Sequence, residues 1–385
     1  MSIETAITRA WQRKAAWLWL LLPISWLYGL LTLLRRQAYK IGVFASYRAP
    51  VPIMVIGNIT VGGSGKTPLI ITLVSYLQQQ GIKVGVISRG YGGDSSQMPA
   101  LVTKDSLPST VGDEPCLIVN VTAVPMAVCP NREQAITTLL NAHSDLQLII
   151  ADDGLQHYAL QRDIEWIVVD VARGFGNQQL LPTGFLREPM ARLTDATVIY
   201  HKKPNAVSDL NNNENSAQRL TMQLQPSSLY PLLSDDDGHS LDNSNIFMVS
   251  SPAIVPMQGS VHAVSGIGYP QRFFATLRTL GFDVIEHPYP DHYDFSLVEL
   301  LQYTEHPIIV TTKDAVKIRT LLLAELNKIN SIKPDELIND DIKALVNRLW
   351  VLPVTAELSN ACYQTLQQQL EAFGIDMPTS GFRDK

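Results

Sequence analysis

The segment that most limits the folds open to this chain is Gly57-Asn58-Ile59-Thr60-Val61-Gly62-Gly63-Ser64-Gly65-Lys66-Thr67. It lies between an apolar run at residues 52–56 and a stretch at 68–80 whose apolar positions recur at helical spacing. A buried strand that passes through a glycine-rich turn into a helix opens a βαβ unit, and residues 83–87 supply the second strand. The unit implies an α/β fold of the P-loop NTPase type, a parallel sheet flanked by helices. The turn ends in Gly65-Lys66-Thr67, the phosphate-loop signature, in which backbone amides at a helix N-terminus surround phosphates. Thr60, Val61, Gly62, Gly63, Ser64, Gly65, Lys66 and Thr67 are thus the expected cradle. Lys66 neutralises the terminal phosphates and the Thr67 hydroxyl holds magnesium. The usual pattern has glycine five places before Gly65, where this chain has Thr60.

Further apolar runs at 146–151, 164–170 and 197–200 read as buried strands of the same sheet. Stretches rich in Asn, Ser and Asp at 205–216 and 234–245 read as surface loops around a strand-like piece at 219–224. From residue 248 a second α/β set begins, with strands at 261–264, 283–286, 308–312 and 350–354 and a helix at 270–280. The expected organisation is an anchor segment at 1–48, a P-loop core at 49–204, a polar linker with short strands at 205–247 and a smaller α/β lobe at 248–385.

The anchor rests on twenty consecutive uncharged residues, 15–34, which include Trp17, Trp19, Trp26 and Tyr28 and meet the length of a membrane segment. A signal peptide would be shorter and end in a small-residue cleavage site, whereas this run ends in Arg35-Arg36. The remaining rival is a helix buried in the core. Both flanks are basic and Pro23 is expected to bend the helix midway, which favours an in-plane or re-entrant anchor over a clean span. Residues 1–50 hold seven basic side chains against one acid, within a chain of net charge −6. That acidic balance excludes a nucleic-acid binder. The three cysteines are scattered without a CxxC pair, so neither a disulfide framework nor a thiolate zinc site is indicated.

A second chemical signal is Asp152-Asp153-Gly154 directly after an apolar strand, since a carboxylate at a strand end beside a phosphate loop is how these folds hold magnesium. Transfer to a hydroxyl also needs a proton acceptor. Asp113 in Gly112-Asp113-Glu114-Pro115 and His292 in Asp291-His292-Tyr293 are candidates, although a helix cap and a surface histidine are the plainer readings of each.

Together these stretches resemble the tetraacyldisaccharide 4'-kinases of lipid A assembly. The resemblance rests on GNITVGGSGKTP at 57–68, SRGYG at 88–92, GDEP at 112–115, DDGLQH at 152–157, LLPTGFLREP at 180–189, Asp291-His292 and TTKDAVK at 311–317, in order over most of the chain. It implies an enzyme using ATP and Mg²⁺ to phosphorylate the 4'-hydroxyl of a lipid-linked glucosamine disaccharide 1-phosphate, with membrane lipids as its surroundings at the cytoplasmic face of the inner membrane. No obligate protein partner is indicated. Carried over by position, Thr67, Asp152, Asp153 and Glu188 become candidates for the metal, Lys66 and Asp113 catalytic groups with His292 as partner of Asp113, and Arg89, Arg132 and Arg187 the grip on phosphate. Thr60 is as the family has it, while Gln178 stands where glycine is usual and Phe185 where proline is usual. Two other readings remain at this level: another P-loop NTPase of the GTPase or metal-insertion type, and a non-catalytic membrane tether that binds nucleotide. The former would favour an Asn-Lys-x-Asp motif, and Thr312-Lys313-Asp314-Ala315 has its carboxylate one place early.

Overall fold

The computed structural model describes residues 15–194, 196–202, 219–233, 259–332 and 340–377, together with 7, 10, 11, 13 and 256. The polar stretches at 205–216 and 234–245 lie outside the described residues. The strands are β1 (Ile53–Gly57), β2 (Val84–Ser88), β3 (Ala100–Val102), β4 (Met126–Val128), β5 (Leu148–Asp152), β6 (Ile164–Asp170), β7 (Thr197–His201), β8 (Thr221–Pro226), β9 (Tyr230–Pro231), β10 (Gly259–Ser265), β11 (Phe282–Pro288), β12 (Ile308–Thr311), β13 (Leu349–Leu352) and β14 (Val354–Leu358). Helices used below are α1 (Leu22–Lys40), α2 (Lys66–Gln79), α3 (Asp113–Thr122), α4 (Arg132–Ala142), α5 (Pro270–Thr279) and α6 (Thr312–Ile332).

The chain divides into two compact units, one of residues 1–106, 110–225 and 355–385, the other of residues 107–109 and 226–354. In the first, nine strands form one sheet in the order β14-β8-β7-β6-β1-β5-β2-β4-β3. The pairings from β8 through β7, β6, β1, β5 and β2 to β4 are parallel, and β3 closes that edge antiparallel. Every residue of β1, β2 and β5 is buried, which explains their continuous apolar runs: a parallel strand covered on both faces has no polar side to show. Helix α2 covers one face with Leu69, Ile70, Leu73, Val74 and Leu77, all fully buried, each contributing about 1.5–3 kcal/mol. The C-terminal helix Asn360–Glu371 belongs to this unit, where Gln369 bonds Trp166 Nε1 at 2.8 Å and Thr197 Oγ1 at 3.0 Å. The second unit is a five-stranded sheet, β11-β10-β12-β13-β9, parallel except for β9.

At the N-terminus, the uncharged stretch is a 3₁₀ turn (Ala16–Leu21) followed by α1. The bend expected midway at Pro23 does not occur there. Pro23 falls in the first turn of α1, where its missing N–H has no intrahelical partner to lose. Of the most apolar window of this helix only 11% is buried, so the core-helix alternative fails. One narrow side of α1 is nevertheless bound to the protein. Ser25 Oγ donates to Leu180 O at 3.0 Å or Thr183 Oγ1 at 2.8 Å and accepts from Thr183 N at 3.0 Å, while Tyr28 OH donates to Arg187 O at 3.0 Å.

Candidate active site

The glycine loop has little freedom to be anything else. Gly65, the N-cap of α2, has φ +92°, and a Cβ there would lie 2.7 Å from Met222 Cε and 3.1 Å from His201 Nδ1. Both the left-handed backbone and the lack of room demand glycine. Thr60 is tolerated where glycine is usual because it pairs in a β-bridge with Leu186 and its Oγ1 accepts from Asn58 Nδ2 at 3.1 Å. The bridge is part of a longer seam: Val61 N donates to Phe185 O at 2.9 Å and Arg187 N to Ile59 O at 2.7 Å. The segment carrying Arg187 and Glu188 is thereby laid along the phosphate loop.

Because β5 inserts beside β1, Asp152 pairs in register with Ile56, at the mouth of the loop. Its carboxyl is 2% exposed, with Oδ2 accepting from Ser88 Oγ at 3.3 Å and Oδ1 buried with no hydrogen-bond partner. Burial, reinforced by the Glu114 carboxylate and opposed by Lys66, pushes this carboxyl up to about 7. Asp153 behaves in the opposite way. Burial acts to raise it, but Lys66 and Arg187 outweigh burial and hold it well below the usual carboxylate range. Lys66 Nζ lies 3.3 Å from Asp153 Oδ1 and 3.0 Å from Asn58 Oδ1; Arg187 grips both oxygens of Asp153 at 2.9 and 3.0 Å and also bonds Asn58.

The other expected residues are distributed less simply. Asp113, 2% exposed, opens α3, and its Oδ1 accepts from Glu114 N at 2.9 Å. Arg89 is exposed at the end of β2. Arg132 is 3% exposed and spends its terminal nitrogens on backbone carbonyls, Cys129 O at 3.2 Å and Asp152 O at 3.0 Å. Glu188 is 1% exposed, with Oε1 accepting from Gln156 Nε2 at 2.9 Å and Oε2 from Tyr158 OH at 2.7 Å, and Arg192 Nε lies 3.3 Å from Oε2. His292 belongs to the second unit. The usual glycine place occupied by Gln178 does need the left-handed region, for Gln178 has φ +59°. Sequence reasoning missed Asn58, Ser88 and Glu114. Asn58 is fully buried between Lys66 and Arg187, and burial of a polar side chain is not visible in local pattern.

A lysine and a buried carboxylate with an open oxygen at one loop mouth are a phosphoryl-transfer arrangement, and the chain's relatives agree. The model of the tetraacyldisaccharide-1-P 4'-kinase family matches residues 17–371. The chain belongs to that family. A tetraacyldisaccharide 4'-kinase of Psychrobacter cryohalolentis is 68% identical over 98% of this chain and 99% of its own length. Another from Pasteurella multocida is 44% identical over 80% of this chain and 88% of its own. The fold is also that of a solved relative, LpxK from Aquifex aeolicus in complex with ATP, with TM-score 0.61 at 23% identity over 91% of this chain and 98% of that one. Family membership carries the enzyme class, a kinase of the lipid A route.

Proposed function

We propose that the protein transfers the γ-phosphate of ATP to the 4'-hydroxyl of a tetraacylated glucosamine disaccharide 1-phosphate. The observation that carries this reading is the juxtaposition of Lys66 and the open oxygen of Asp152 at the glycine loop, in a chain of this family. Among the described residues no three His, Cys, Asp or Glu side chains converge as a metal-holding group. Magnesium does not need one, because it keeps waters and phosphate oxygens and takes only one or two carboxylates. The orphaned Asp152 Oδ1 fits such a cation, and Thr67 with Asp152 is the set that would hold it. Bound there, magnesium would offset charge on the ATP phosphates. Asp153 and Glu188, each with both oxygens already taken by protein donors, position Lys66, Arg187 and the 185–188 segment.

Lys66 then draws charge from the transferring group as the bond from the γ-phosphorus to the bridging oxygen breaks and the bond to the sugar O4' forms. The resemblance gives the hydroxyl proton to Asp113 and a catalytic part to His292. Arg89, exposed at the end of β2, suits a phosphate that arrives from outside, whereas Arg132 supports the end of β5 from beneath. Radiolabelled γ-phosphate transfer from ATP to the purified disaccharide 1-phosphate in mixed micelles tests donor, acceptor and reaction at once. Labelled 4'-phosphate product is expected, and ATP turnover indifferent to the glycolipid defeats the reading.

A four-chain acceptor cannot leave a bilayer cheaply, at about 0.8 kcal/mol per buried CH₂, so the enzyme must go to it. The exposed side of α1 and its preceding turn supports a location at a membrane surface, and the cytoplasmic face of the inner membrane is what the family resemblance implies. Trp17, Trp19 and Trp26 are about half exposed or more, and Arg35 and Lys40 follow for anionic headgroups. Replacing the three tryptophans together by serine leaves the Ser25 and Tyr28 contacts untouched. Vesicle binding by flotation is expected to fall roughly tenfold or more; unchanged binding places the anchor elsewhere.

A further inference from the structure

The motif Thr311–Lys317 is not used by the reaction as described, yet in the second unit it surrounds His292. β12 passes directly into α6 here, and Asp314 ties the junction to the loop after β10: its carboxylate accepts from Gly266 N at 3.1 Å and from Thr311 Oγ1 at 2.6 Å. Gly266 in turn accepts from His292 N through its carbonyl at 3.0 Å. One turn further along α6, Lys317 Nζ donates to His292 O at 2.7 Å and Tyr293 O at 3.2 Å. These bonds surround a left-handed backbone at His292, φ +59°, a region uncommon for non-glycine residues. Lys313, four residues before Lys317 and so on the same helix face, lies 3.2 Å from His292 Nε2 and 3.1 Å from Asp291 Oδ1.

The Lys313 contact selects a tautomer. An ammonium group has three N–H donors and no acceptor, so a bond between Lys313 Nζ and His292 Nε2 requires that Nε2 carry the lone pair. The ring proton is then on Nδ1. The geometry points to Lys313 as a positioning residue for His292: its ammonium holds the ring as the Nδ1–H tautomer, with the lone pair on Nε2. The inference rests on the assignment of His292 to the reaction. Among the charged groups of the described residues that face His292 are Asp291 from its own turn and Lys313 and Lys317 from α6.

The test uses the full chain in micelles with ¹⁵N-labelled histidine at about pH 8.5, where an ordinary imidazole is neutral. His292 is assigned by the signal lost in His292→Gln. Long-range ¹⁵N–¹H correlation is expected to show His292 protonated at Nδ1 in the native protein and in Lys313→Arg, and moved toward Nε2–H in Lys313→Met. In the transfer assay Lys313→Met is expected to lower kcat roughly tenfold or more, in the same direction as His292→Gln and with Lys313→Arg recovering most of the loss. The KM for ATP is expected to stay within about threefold, since the interaction is used in turnover rather than in ATP binding. A native His292 protonated at Nε2, or a tautomer unmoved in Lys313→Met, overturns the clamp. A tautomer that moves while kcat is unchanged in both Lys313→Met and His292→Gln overturns the role of His292 and leaves the clamp as structure only.

Discussion

Replacing Lys66 by alanine is expected to lower phosphoryl transfer by about 10²–10³-fold or more, the scale set by removal of one preorganised charge from a developing transition state. The fold is expected to survive. Lys66 is the first residue of α2, alanine is a good helix former there, and Asp153 keeps its two bonds to Arg187 when the lysine is gone. Single-turnover transfer measured beside a thermal melt separates the two quantities. Near-normal transfer removes the phosphate loop from the mechanism, and a collapsed melt means that Lys66 holds Asp153 and Asn58 for stability instead.

Asp152→Asn is expected to damage transfer and stabilise the nucleotide-free protein at the same time. The amide keeps the shape and can still accept from Ser88, but it brings no charge for a cation. The native carboxyl is buried with one oxygen unbonded, and its folded value of about 7 stands above the ordinary 3.8. For an acid shifted upward, the unfolded chain gives up its proton first, so the cost to folding begins above the unfolded value and is complete above the folded one. The gain from asparagine is therefore on the order of 4 kcal/mol above pH 7, shrinks as pH falls, and is nearly gone at pH 4. Melting curves at pH 8 and pH 4 in the absence of nucleotide and metal check this. Equal melting temperatures for the two proteins at pH 8 mean that the buried carboxylate is compensated, and undiminished transfer by the variant refutes its role as metal ligand.

Much of the first unit was legible before any coordinates. β1, β2, β5, β6 and β7 begin and end close to where apolar runs do, because a strand covered on both faces must be apolar throughout. The glycine loop was legible because its chemistry is local: a left-handed Gly65 and a helix start need particular residues within a few positions of one another. β3 and β4, at three residues each, carry no period long enough to detect. Pro23 opens the helix instead of bending it for a related reason, since the same uncharged run serves a 3₁₀ turn and an α-helix, and only the break between them says which turn the proline opens.

The chemistry-bearing motifs, the alternation of strands with helices and the greasy basic N-terminus are written along the chain, because each depends on neighbours within a turn or a strand. Which carboxylate has an open oxygen, which arginine is spent on backbone, and how α1 is bonded to the segment carrying Arg187 depend on contacts between positions scores of residues apart. The insertion of β5 between β1 and β2 is the clearest case: chain order makes β2 the next strand, yet Asp152 reaches the loop because β5 pairs with β1. Strand order is chosen by the burial of whole faces against helices, a long-range free energy that no window of sequence contains.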